Sequence, residues 1–206
     1  MSMTLMNKTI KITNGAFSYK KADVFTNLNL EIPLNSVTCV LGESGCGKTT
    51  LLKIIAKKLK LKRGTIENAP EAGNYSFAYQ DILLIPHLSA VQNIEYVLPD
   101  AFSKKEKHER ALYYLNILGL LSSAQLLPSE LSGGMQRRVG LARALAYPAP
   151  FLLLDEAFDS LDDKNKYKIA ELFLSITQKE NKTAICVTHD TALAEKITDT
   201  IITLSS

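Results

Sequence analysis

Cysteine is scarce in this sequence and poorly placed for chemistry. Cys39, Cys46 and Cys186 are the only three in 206 residues. None stands at metal-ligand spacing and two lie in apolar, strand-like runs, which excludes a disulfide scaffold and a cysteine-built metal centre and suits reduced thiols in a cytosolic protein. No uninterrupted apolar run approaches the about 18 residues needed to cross a bilayer, and Met1 to Thr9 contain no long apolar leader core, so the chain is not expected to enter a membrane by itself. A surplus of one charge is missing as well. The balance of 24 Lys+Arg against 21 Asp+Glu gives a net charge of +3 with the signs mixed, which carries no nucleic-acid footprint. Internal repeats and low-complexity linkers are also absent. The length suits one α/β domain with a substantial core, or a domain plus a small insertion, and is short for two full domains.

Against these absences one stretch stands out, Gly42-Glu43-Ser44-Gly45-Cys46-Gly47-Lys48-Thr49-Thr50. It reads Gly, four residues, Gly-Lys-Thr, the phosphate-binding loop pattern. Upstream, Val37 to Leu41 is a β-branched, apolar run fit for a buried strand. Downstream, Leu51, Leu52, Ile54 and Ile55 recur at helical spacing. A loop between strand and helix can curl its glycine backbone so that N–H groups converge on phosphate oxygens, helped by the positive end of the helix dipole. Lys48 adds a point charge for the β- and γ-phosphates, and Thr49 a hydroxyl for Mg²⁺.

Around this loop the pattern predicts an order of elements. Strand-like runs at Ile10–Phe17 and Asn27–Ile32, the second with Leu28, Leu30 and Ile32 alternating with polar residues, point to an antiparallel sheet with one wet face. Short strands follow near Thr65 and over Tyr75–Tyr79, ending at Gln80. Ser89 and Ser103, each three residues ahead of Gln92 and Glu106, are capping-box starts of two helices within an insertion from about Pro86 to Leu131. Beyond it come a helix opened by Leu131-Ser132-Gly133-Gly134 and ended by Pro148, an apolar strand Phe151–Leu154 closing at Asp155-Glu156, a helix from Asp162 to Thr177, a strand Thr183–Val187 leading to His189, a short helix near Leu193 and a last strand near Ile201. Strands alternating with helices imply a parallel sheet whose ligands lie beyond the strands' carboxyl ends, where the phosphate loop, Gln80, Asp155, Glu156 and His189 all fall.

Asp155 is placed to hold Mg²⁺ and Glu156 to polarise an attacking water. Ser132 with two glycine amides at a helix start is a second anion site in principle, or an ordinary helix cap. Tyr19 is either a stacking ring for an adenine or a plain hairpin tyrosine. The basic cluster Lys53, Lys57, Lys58, Lys60, Lys62 and Arg63 reads as a solvated helix end or as a contact for a partner or lipid headgroup.

Phosphate loop, Gln80, Leu131 to Gly134, Phe151 to Glu156, Ser160-Leu161-Asp162 and His189 occur in one order and spacing over essentially the whole chain, and in this the sequence resembles the ATP-binding cassette ATPases, the nucleotide-binding subunits of ABC transporters. The resemblance implies a single domain over residues 1–206 of α/β class. A phosphate-loop NTPase core, with a parallel sheet and an N-terminal antiparallel β subdomain, would occupy 1–85 and 132–206, with an inserted α-helical subdomain at 86–131. It implies ATP and Mg²⁺ as ligands. The nucleotide would be held by Tyr19, by Gly42, Ser44, Gly45, Cys46, Gly47, Lys48, Thr49 and Thr50, by Gln80 and His189, and by Ser132, Gly133 and Gly134 closing on the γ-phosphate of the opposite subunit. Thr49, Gln80 and Asp155 would serve the metal. Glu156 would be the general base, assisted by His189, Lys48 and Gln80, and the Asp162 loop would run along the dimer interface.

The implied partners are a second ATPase subunit, a membrane permease and, indirectly, an extracytoplasmic solute-binding protein, with no nucleic acid, at the cytoplasmic face of the membrane. Gln80 to Ser89 and Asp155 to Phe158 are similar to subunits of importers for nitrate, sulfonates, taurine and thiamine-like compounds. Three positions depart from the family pattern: Met135 and Arg137 where glutamine is common, and Ala157 in place of a proline, which bears on loop stiffness and not on catalysis. An exporter or lipoprotein-releasing ATPase shares the same cassette, and a non-transport member acting on ribosomes or DNA is the other alternative.

Overall fold

The computed structural model describes residues 9–20, 22–81, 84–158, 161, 163–198 and 200–204. Two sheets organise it. Strands β1 (Thr9–Tyr19), β2 (Ala22–Pro33) and β4 (Arg63–Glu67) form an antiparallel sheet in the order β2-β1-β4. Strands β3 (Val37–Leu41), β5 (Tyr75–Ala78), β6 (Phe151–Asp155), β7 (Thr183–Val187) and β8 (Thr200–Thr203) form the second, ordered β5-β6-β7-β3-β8 with every pairing parallel.

Side-chain alternation along the parallel strands sorts the core into two clusters, one on each face. Leu152 and Leu154 of β6, with Cys186 of β7, join the helical side. Leu153, Ile185 and Val187 face the other way, where they meet Ile10, Ile12 and Ile32 of the antiparallel sheet and Leu51, Leu52, Ile54 and Ile55 of helix α1 (Lys48–Ile55). Helix α1 is therefore clamped between the two sheets, and the loop at its N-terminus inherits that rigidity. Helices α2 (Ala90–Glu95), α3 (Lys104–Ile117), α4 (Gly133–Ala146), α5 (Asp163–Lys179) and α6 (Thr191–Ile197) pack on the opposite face, with two 3₁₀ turns between α3 and α4.

The capping boxes form as their spacing predicts: the Gln92 and Glu106 amides donate to Ser89 Oγ and Ser103 Oγ at 3.4 and 3.3 Å, and both carboxamide and carboxylate reach back to the serine amides. Helix α2 stops short of Leu98. Its last N–H groups tighten into i−3 bonds, Val97 to Ile94 and Leu98 to Glu95, because Pro99 disfavours a helical conformation in the residue before it. The first two strands run longer than the hydrophobic alternation suggests. Irregular register between Ile12 and Phe17 breaks the period-two signal without breaking the pairing. Strand β5 ends at Ala78, one residue earlier than the apolar run.

Candidate active site

Parallel register brings distant residues to one edge. Ala78 pairs with Leu154 and Asp155 with Val187, so two residues beyond the first pair stand Gln80 and Glu156, and two residues beyond Val187 stands His189. The phosphate loop leaves β3, which pairs with β7. The result is a cleft of about 520 Å³ lined by Ser44, Gly45, Gly47, Lys48, Thr49, Thr50, Gln80, Glu156 and His189.

Each group in the cleft is held by something specific. Gly45 and Gly47 adopt φ of 87° and 100°, in the left-handed region open to glycine. Gly47 also lacks room for a side chain, since a Cβ there would come within 2.6 Å of Val24 and 2.8 Å of the Phe25 ring. The β1–β2 hairpin thus lies directly against the phosphate loop. Gly47 caps α1 with no side-chain hydrogen bond, which leaves the first-turn amides for an anion. The buried Lys48 ammonium donates to the carbonyls of Gly42 and Glu43 at 2.7 and 2.8 Å. Two of its three donors hold the loop closed, and the third remains for phosphate.

Beneath the loop the Thr49 hydroxyl donates to Asp155 Oδ1 at 3.0 Å. Asp155 is 2% exposed, and burial raises its carboxyl above the ordinary carboxylate value, with Glu156 adding to the rise and Thr49, Lys53 and Lys48 opposing it. An anion so placed favours a cation beside it. Hydroxyl and carboxylate oxygens are the hard donors Mg²⁺ takes. Among the described residues no group of three or more His, Cys, Asp or Glu side chains could cage a metal.

Glu156 has φ of 52°, a left-handed conformation unusual for a residue with a side chain, and its N–H donates to Val187 O at 3.0 Å. That turn separates its direction from that of Asp155. Its Oε2 accepts a 2.7 Å hydrogen bond from Gln80 Nε2. His189 is exposed at the rim.

Other residues named from the sequence stand outside the cleft. Gly42 and Cys46 pack against each other: a Cβ on Gly42 would lie 2.5 Å from Cys46 Sγ, and the Cys46 N–H is bonded to Glu43 O at 3.3 Å. Tyr19, at the end of β1 and 46% exposed, meets Phe17 edge to face at 4.9 Å. Ser132, Gly133 and Gly134 open α4, where Ser132 Oγ accepts from the Met135 N–H at 3.3 Å. Ser132 and Gly133 are exposed. Of Ser160-Leu161-Asp162, only Leu161 lies within the described residues. The basic cluster is partly engaged at the surface: Lys57 pairs with Glu71, Lys58 with the Tyr79 hydroxyl and the Phe77 and Tyr79 rings, and Lys62 with Ser18. Asp190, Thr188 and Lys166 escape sequence reasoning, although Asp190 shows an N-cap signal ahead of α6.

The ABC transporter family model matches residues 25–159, well over half of the chain. The protein belongs to this family. It is 34% identical to the nitrate import ATP-binding protein NrtD of Synechocystis, over 98% of this chain and 79% of the relative. It is 36% identical to the Fe(3+) ions import ATP-binding protein FbpC of Brucella abortus over 98% of its own length, but spans only 58% of that protein. Among solved structures it superposes on the ATP-binding cassette MJ0796, a dimer in a post-hydrolysis state bound to ADP and Pi, with a TM-score of 0.85 and 32% identity over 95% of this chain and 94% of that one. The antiparallel and parallel sheets follow the cassette fold, and the chain is an ATP-binding, ATP-hydrolysing ABC ATPase. Among the described residues no helix is long and apolar enough to cross a membrane.

Proposed function

We propose that this ABC ATPase powers solute import: two copies close head to tail on ATP and drive a separate membrane permease at the cytoplasmic face, served by an extracytoplasmic binding protein. The observation that carries this reading is a division within one chain. The phosphate loop, Thr49–Asp155, Gln80–Glu156 and His189 share a cleft, while Ser132 and Gly133 stand exposed outside it. A second copy would bring its Ser132–Gly134 amides to the γ-phosphate. NrtD and FbpC are named for import of different ions, so the choice of solute falls to the permease and binding protein.

In this reading the loop amides, Lys48, Ser44 and Thr50 orient the phosphates, and Tyr19 stacks on the adenine from the hairpin beside Gly47. Thr49, Asp155 and Gln80 would hold Mg²⁺, which neutralises charge on the β- and γ-phosphate oxygens. Glu156, once freed from Gln80, accepts a proton from the attacking water. His189 and Lys48 stabilise the charge that spreads over the transferring phosphoryl group. Residues 86–131 form the inserted helical subdomain in this reading.

The test is Glu156→Gln. Tagged and recovered with ATP from detergent-solubilised cells of its source, it should bind ATP, hydrolyse it very slowly, sediment as a dimer and carry a polytopic membrane protein with it. Full turnover removes Glu156 as the base. Ribosomal or DNA-repair proteins in place of a membrane partner overturn the transport reading and leave the ATPase chemistry standing.

A further inference from the structure

The loop carrying His189 is held from behind by an ion pair. Lys166, near the start of α5, reaches Asp190 Oδ2 at 2.9 Å, and the two side chains are only 13% and 19% exposed. Asp190 has two further bonds. Its Oδ1 accepts the Leu193 N–H at 3.0 Å, capping α6, and its own N–H donates to Thr188 Oγ1 at 3.0 Å. Thr188 is buried, and its N–H donates to Val40 O at 3.3 Å, on the strand that feeds the phosphate loop. Both neighbours of His189 in the chain are therefore pinned. The start of α5 is anchored near the catalytic end of β6: Leu161 N–H donates to Phe158 O at 3.0 Å, and Phe158, two residues past Glu156, is fully buried against Phe173.

We propose that Lys166 and Asp190 are a positioning pair for ATP hydrolysis, tying the His189 loop to α5 so that the imidazole keeps its place across the cleft from Glu156 and Gln80. The pair touches no substrate and acts through His189. The inference rests on the reading of His189 as a γ-phosphate contact. A second ion pair between the same helices supplies the comparison. Lys196 meets Glu171 at 2.8 Å with side chains 42% and 61% exposed, and the ammonium lies 4.9 Å from the centre of the Tyr167 ring. It joins α6 to α5 without involving the two residues that flank His189.

Steady-state hydrolysis by the full chain separates the two bridges. Asp190→Asn keeps an oxygen able to cap α6 and loses the charge. It should lower kcat about tenfold with KM for ATP little changed, the pattern of a lost orientation and not of lost binding. Lys166→Met should do the same, Lys166→Arg should restore most of kcat, and the double variant should be no worse than either single one. Glu171→Gln should keep the wild-type kcat. Wild-type kcat in Asp190→Asn and Lys166→Met overturns the proposal, as does an equal loss in Glu171→Gln or a loss confined to KM. His189→Ala, measured alongside, tells the two failures apart. Full turnover there removes the His189 assignment itself, whereas collapse there with full turnover in Asp190→Asn removes only the role of the pair.

Discussion

Thr49 and Asp155 lie 106 residues apart and meet through a 3.0 Å hydrogen bond from hydroxyl to carboxylate, joining the first turn of α1 to the end of β6. The bond places an acceptor-rich carboxylate under the phosphate loop, where burial penalises its charged form more than Thr49, Lys53 and Lys48 relieve it.

The cost has a sign that can be measured. Burial raises the Asp155 carboxyl above its ordinary value of 3.8, so the folded state holds the proton more tightly than the unfolded chain. The stability this brings is full below 3.8 and lost as pH rises through the higher folded value. At neutral pH Asp155 therefore destabilises the ligand-free protein. Asp155→Asn, which still accepts from Thr49, should melt at a higher temperature than the wild type at pH 7, with the gap narrowing as pH falls toward the carboxylate range, and should not hydrolyse ATP. Thermal scans of the nucleotide-free proteins across that range check it, and a lower melting temperature at pH 7 would count against the argument.

Gly45 and Gly47 share a positive φ but differ in surroundings. A Cβ on Gly45 meets nothing within 4 Å, whereas one on Gly47 runs into Val24 and Phe25. Gly45→Ala should cost only the left-handed backbone penalty, about 1–2 kcal/mol. Gly47→Ala adds a clash that the hairpin must relieve, for a total nearer 3–4 kcal/mol. Denaturant unfolding of the nucleotide-free variants should rank them in that order. Equal losses would mean that the hairpin yields freely.

Much of this was legible in the sequence. All nine residues lining the cleft fall at strand ends or in the glycine-rich loop, and both features follow from residue type and spacing alone. Strand order was not legible, because β3 pairs with β7 and β8 from the far end of the chain, and a five-residue apolar run such as Phe151–Asp155 has no marker for its neighbour. Side-chain contacts across that order were hidden for the same reason. The Gln80–Glu156 bond needs the β5–β6 register, and the Lys166–Asp190 pair needs α5 beside α6. The lengths of β1 and β2 were obscured where Asn14 and Gly15 interrupt the alternation.

Tyr114 gives a test of the helical side of the core. It is 1% exposed, its hydroxyl donates to Glu180 Oε1 at 3.2 Å, and burial first of all pushes its pKa up to about 12. The folded chain keeps the phenol proton between the ordinary 10.0 and about 12 while the unfolded chain loses it, so the stability linked to this proton is full below 10.0 and drains away as pH rises through about 12. Tyr114→Phe should cost about 1 kcal/mol at pH 7 for the lost hydrogen bond. Urea unfolding at intervals from pH 9 to pH 11 should show the wild type losing its advantage and falling below the variant. A constant gap across that range would place the hydroxyl in solvent.

Ser132 bears on the shared-site reading most directly. It is exposed, its Oγ caps α4 by accepting the Met135 N–H, and its carbonyl accepts the Gln136 N–H at 2.9 Å, so an arginine there removes the side-chain cap and leaves the backbone bond, a loss of about 1 kcal/mol. Across a head-to-tail dimer the same side chain would project into the partner's γ-phosphate site. Ser132→Arg should therefore bind ATP as the wild type does and lose hydrolysis by two orders of magnitude or more, about what removal of one electrostatic donor to the transferring group costs. Combined with Glu156→Gln, it should also abolish the ATP-dependent dimer while the monomer still binds nucleotide. Sedimentation of the double variant with and without ATP, beside fluorescent-nucleotide binding, decides the matter. A dimer that forms as readily as in Glu156→Gln alone would mean that the start of α4 does not face the partner's phosphate, and hydrolysis would then have to be completed within a single chain.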